Sequence, residues 1–176
     1  MRFIFFLVLS SLNLYAGTFQ LSSDVLNKKD SIPLEYALNK YGCQGENKSP
    51  SLFWKHVPKN TKSFALTVFD PDATSGSGWW HWIVYNIPKN VKKLSEGASQ
   101  TDKMPIGSKE SLNDFGFKGW GGPCPPKGET HHYTFTLYAL KSDDLDLGKN
   151  PTNAQLGEAI QKKFIKKSII RIKFGR

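Results

Sequence analysis

Asp70, His81, His131 and Tyr133 stand at or beside the ends of short apolar runs, near a loop of glycine and proline, Gly121-Gly122-Pro123-Cys124-Pro125-Pro126. One carboxylate and two imidazoles allow three chemistries. As a metal set they suit divalent iron or zinc. With one imidazole as base they suit a hydrolase. As an anion pocket, the imidazoles, the Tyr133 hydroxyl and the backbone N–H groups of Gly121 and Gly122 hold phosphate or carboxylate without transforming it.

The parts present rank these options. No histidine pair has the tight helical spacing of a zinc protease, and no residue marks a supporting shell for a metal. Ser49 and Ser75 to Ser77 lie in turns, without the glycine-flanked elbow of a hydrolase nucleophile. The glycines at 116, 119, 121 and 122 follow neither Rossmann nor P-loop spacing. Taken singly, Asp70 before Pro71 is an ordinary turn former, and a histidine on an apolar face is ordinarily a hydrogen-bonded structural group. Together they favour a non-enzymatic anion pocket with no cofactor. A hydrolase or metal-dependent enzyme using the same Asp/His pocket is the alternative.

The surrounding pattern says what positions these groups. Residues 63–69, 82–87, 133–140 and 169–174 are short, aromatic or β-branched and bounded by turn residues, as strands are; 19–22 and 51–54 read as shorter ones. By alternation Asp70 shares a face with Phe64, Leu66 and Val68, His131 with Tyr133, Phe135 and Leu137, and His81 with Ile83 and Tyr85. If the strands flanking residues 71–80 are antiparallel, Asp70, His81 and His131 meet on one rim. Thr152 and Gln155 form a capping-box pattern, and Leu156, Ala159, Ile160 and Phe164 recur at helical spacing, which predicts one helix on the sheet. The expectation is a mainly β fold, a two-sheet antiparallel β-sandwich with one or two peripheral helices.

At 176 residues, with a net charge of +9, the chain has the length of one domain. Arg2, the apolar run from Phe3 to Leu9 and the small residue Ala16 read as a secretory signal cleaved after residue 16, leaving a domain over 17–176. That run is shorter than the ~20 residues of a membrane span, so no transmembrane segment is expected. Periplasmic or secreted localisation follows. Lysines scattered without interleaved aromatics, in an exported protein, argue against nucleic acid. Lys162, Lys163, Lys166 and Lys167 read as a solvated helix face. The two cysteines, Cys43 and Cys124, are expected to form a structural disulfide in an oxidising compartment. Asn47-Lys48-Ser49 is formally a glycosylation sequon, read as chance.

In Asp70-Pro71-Asp72-Ala73, Trp80-His81-Trp82, Gly122-Pro123-Cys124-Pro125-Pro126 and His131-His132-Tyr133 the chain closely resembles the phosphatidylethanolamine-binding protein family, in its bacterial Raf-kinase-inhibitor-like branch. Asn47 to Leu52 and Asn113 to Gly116 extend the likeness over most of the chain from about Phe19. The resemblance implies a two-sheet fold with a small anion pocket. Asp70, His81, His131 and Tyr133 match pocket positions, and Gly122 and Pro123 fall in the loop forming its rim. Trp79-Trp80-His81-Trp82 stands where animal members carry paired histidines, and the sequence stops at Arg176 without their pocket-covering C-terminal helix, which argues against kinase inhibition. The expected partner is a small anion such as phosphate or a phospholipid head group. A protein target engaged by Trp79, Trp80 and Trp120 in an inhibitor or signalling role is a further reading.

Overall fold

A computed structural model describes residues 17–26 and 30–176; the expected signal segment lies outside them. The strand-like runs become β1 (Gln20–Ser22), β2 (Leu52–Lys55), β3 (Ser63–Asp70), β4 (Trp79–Pro88), β7 (Thr130–Leu140) and β8 (Phe164–Gly175), with the short strands β5 (Lys93–Leu94) and β6 (Lys109–Glu110) between. They form two antiparallel sheets, β1-β2-β5 and β6-β4-β3-β7-β8. A single 3₁₀ turn (Leu34–Tyr36) and one helix, α1 (Asn153–Lys163), complete the regular structure among the described residues.

Both faces of the large sheet are apolar, because each has something to bury against. Phe64, Leu66, Val68, Phe135 and Leu137 point towards Leu21, Leu52, Trp54 and Leu94 of the small sheet, forming the main core. Ala65, Ile83, Tyr85 and Leu140 point the other way and pack with Leu145, Leu156 and Ile160, the last two on α1. The antiparallel order β4-β3-β7 brings the end of β3 and the starts of β4 and β7 to one rim. Asp70, His81 and His131 stand there.

The helix starts as its sequence predicts. The Thr152 hydroxyl accepts the Gln155 N–H at 3.2 Å, and Gln155 Oε1 accepts the Thr152 N–H at 2.9 Å. It ends sooner than the apolar spacing implied, at Lys163. Phe164 is extended, at φ −75° and ψ 146°, and opens β8, where it pairs with Leu140 and packs edge-on to Tyr138. A ladder running the length of β7 outweighs the helical periodicity of one further residue. Lys166 and Lys167 are therefore exposed strand residues, not part of a helix face.

Candidate functional site

Asp70 is the centre of the rim. It is 2% exposed, and its Oδ2 accepts the His131 Nδ1–H at 2.8 Å while its Oδ1 accepts the Asp72 N–H at 2.8 Å. His131, 5% exposed, also donates through Nε2 to Glu129 Oε2 at 3.1 Å. With a carboxylate at each ring nitrogen, both nitrogens must carry a proton, which is the imidazolium form. Burial pulls the His131 pKa down, but the hydrogen bonds to Asp70 and Glu129 outweigh it and the net shift is upward. For Asp70 burial pushes up, and the neighbouring His81 together with the hydrogen bonds from His131 and the Asp72 N–H brings the net shift below the ordinary carboxylate range. The two shifts describe one buried ion pair.

His81 reaches the site by a route that alternation does not foresee. Val68 pairs with Trp82 but Phe69 with Trp80, so β4 carries one extra residue against β3. That bulge turns His81 to the same side as Trp82 and away from Ile83 and Tyr85, with which strict alternation had grouped it. Its Nε2 lies 3.9 Å from Asp70 Oδ2, and its ring meets Tyr133 edge-on at 5.0 Å. Its Nδ1 is 2.6 Å from the Gly121 carbonyl, which only accepts, so that nitrogen carries the proton. Tyr133 is fully buried and its hydroxyl has no hydrogen-bond partner among the described residues; burial and the neighbouring Asp70 carboxylate raise its pKa.

The glycine loop has a different task from the one expected of it. The Gly121 N–H donates to the His81 carbonyl at 2.9 Å and the Gly122 N–H to Asn47 Oδ1 at 2.8 Å, so neither is free for an anion. A Cβ on Gly122 would lie well inside contact distance of the Tyr36 carbonyl oxygen. Glycine is required there for backbone to approach backbone. The Pro123 carbonyl accepts the Leu38 N–H at 3.1 Å. Gly122 and Pro123 stand behind the wall of the cavity, and Cys124, Pro125 and Pro126 form that wall instead. Cys124 is bonded to Cys43, as expected, with their Cα atoms 5.9 Å apart.

These groups open into a cavity of about 440 Å³. Trp79 and Phe115 meet edge-on at 5.3 Å, and Tyr41 stacks on Phe115 at 5.9 Å, forming an aromatic wall. The Trp79 indole N–H, like the Tyr133 hydroxyl, is buried without a partner among the described residues. Trp120 is no rim aromatic: it is 1% exposed in the main core and donates Nε1–H to the Tyr36 carbonyl at 3.1 Å. The residue that sequence reasoning missed is Arg176. Its Nε donates to the Pro125 carbonyl at 2.6 Å and its Nη1 to the Gly42 carbonyl at 2.8 Å, and the guanidinium lines the cavity without a carboxylate partner among the described residues. Only Lys173 and Gly175 on the same strand, with their exposed alternation, hinted that the run continued to the rim.

Among the described residues no group of three His, Cys, Asp or Glu has metal-holding geometry. The arrangement can offer a pre-formed imidazolium, a guanidinium and unpartnered donors to a small anion. Comparison with known proteins agrees with the architecture. Residues 22–175 match the family model described as phosphatidylethanolamine-binding protein. The chain is 46% identical to the UPF0098 protein YbcL of Escherichia coli over 145 residues, covering 81% of this chain and 79% of that one. It is 43% identical to the UPF0098 protein YbhB of the same organism, over 78% and 88% of the two chains. The crystal structure of E. coli YbcL superposes with a TM-score of 0.85 at 42% identity, covering 90% of this chain and 98% of that one. For CT736 of Chlamydia trachomatis the TM-score is 0.76 at 34% identity, over 90% and 97%. The chain belongs to the phosphatidylethanolamine-binding protein family.

Proposed function

We propose that this protein is an exported, non-catalytic module that binds a small anion, such as phosphate or the phosphate of a phospholipid head group, in the cavity at the Asp70–His131 rim. The observation that carries this reading is the coincidence in one cavity of a buried imidazolium, a guanidinium without a carboxylate partner and two donors with no acceptor among the described residues. Asp70 would repel a dianion directly, so its task is to keep His131 charged and oriented. Among the described residues of this cavity the hydrolase alternative finds no activated nucleophile: Cys124 is held in the disulfide, and the Tyr133 hydroxyl touches no base at hydrogen-bond distance. The Cys43–Cys124 bridge supports an oxidising, periplasmic or secreted setting.

Titration with inorganic phosphate and phosphoethanolamine, followed through the imidazole resonances of His81 and His131, tests the reading. His131→Ala removes a buried positive charge whose two N–H groups are held by Asp70 and Glu129, and Arg176→Gln removes a charged donor; each should weaken binding about tenfold or more. Affinity should fall as pH rises through the raised His131 pKa. Unchanged affinity in both variants, with folds intact by circular dichroism, refutes the assignment.

A further inference from the structure

A second cavity, of about 650 Å³, opens on the other face of β4, between β6 and the N-terminus of α1. Three lysines, Lys109, Lys118 and Lys149, line it, and none pairs with a carboxylate among the described residues. The acid in its wall, Glu110, is already engaged by three donors: the Trp82 indole N–H at 2.7 Å, the Ser99 hydroxyl at 2.7 Å and the Gln100 N–H at 2.8 Å. Its negative charge is answered from the protein side. The lysine ammonium groups are not.

An independent observation points to a ligand. Tyr85 lines the same cavity, is 4% exposed, and its hydroxyl has no hydrogen-bond partner among the described residues. The ring is packed away while the hydroxyl oxygen is left to face the cavity, the amphipathic placement in which a tyrosine hydroxyl ordinarily finds a partner. Asp144 lies near enough to Tyr85 to raise its pKa, after the larger effect of burial, but does not accept its proton. The first turn of α1 adds a favourable end to the cavity wall, since the capping box satisfies the Gln155 and Thr152 N–H groups and leaves those of Asn153 and Ala154 without a partner among the described residues.

We propose that this cavity is a second anion site, which takes a small phosphate-bearing compound between the three lysines, with the Tyr85 hydroxyl as the fixed donor. It does not rest on the reading of the Asp70–His131 cavity. Asn153 in its wall donates through Nδ2 to Asp114 at 3.0 Å, and Asp114 lines the first cavity, so the two are neighbours joined by one hydrogen bond.

The test uses inorganic phosphate and pyrophosphate, titrated into isotope-labelled protein and into His131→Ala, in which the first cavity has lost its imidazolium. Saturable amide shifts at Ser111, Leu112 and Asn153 are expected in both. Lys118→Gln should weaken that binding about tenfold, and Tyr85→Phe, which removes only the hydroxyl, should weaken it severalfold. Shifts confined to the first cavity overturn the proposal. So do shifts that never saturate and spread over all surface lysines, or affinity unchanged in both variants with their folds intact.

Discussion

Replacing Asp70 by asparagine removes one charge from the rim and almost no volume. Losing one partner of a buried ion pair outright costs about 3–5 kcal/mol. The substituted amide would still offer an oxygen to the His131 Nδ1–H or the Asp72 N–H, and the half-exposed Glu129 would still face Nε2. The expected loss is therefore the charge contribution alone, about 1.5–3 kcal/mol. Its pH dependence follows from the two shifts. The raised His131 pKa contributes stability that is complete below the unfolded value of about 6.5 and is lost as pH rises through the folded value. The lowered Asp70 pKa contributes stability present above about 3.9, lost as pH falls through its folded value. Between those limits the pair is fully charged, and there the wild type should exceed Asp70→Asn by the largest margin. Urea unfolding followed by tryptophan fluorescence, at a series of pH values from about 4.5 to 9, measures that margin. A difference that stays constant across the series, or a His131 pKa equal in the two proteins by NMR, refutes the ion pair.

Two further substitutions test what holds the rim in place. Gly122→Ala drives a Cβ into the Tyr36 carbonyl oxygen, backbone that cannot rotate away, whereas Gly148→Ala meets nothing within 4 Å. The first should cost about 1–3 kcal/mol or more and the second under about 0.5, read from thermal melts; equal melts would show that the 36–38 segment yields freely. The Cys43→Ser/Cys124→Ser double variant opens a loop of sequence separation 81 and should lose up to about 4–5 kcal/mol in urea unfolding under non-reducing conditions. A double variant as stable as the wild type would deny the bridge its structural role.

Local chemistry alone determined much of this protein. Strand runs such as Ser63–Asp70 and the Thr152 capping box depend on alternation and short-range hydrogen bonds, which any stretch of the chain carries within itself. The same holds for Asp70 and His131 at the ends of apolar faces, and for two cysteines with only each other to bond. What only the tertiary structure decided involves groups far apart in sequence. The bulge that turns His81 inward exists because β4 has one residue to spare between the partners of Val68 and Phe69, and no periodicity within β4 records it. Gly122 and Pro123 are bound to the 36–38 backbone, distant along the chain, which moved them from cavity rim to supporting wall. Arg176 gained its place beside Pro125 and Gly42 through the full length of the β7–β8 ladder, and that same ladder converted Phe164 from helix to strand. Pairing between distant strands can override the local preference of a few residues because it satisfies their backbone groups and buries their side chains together.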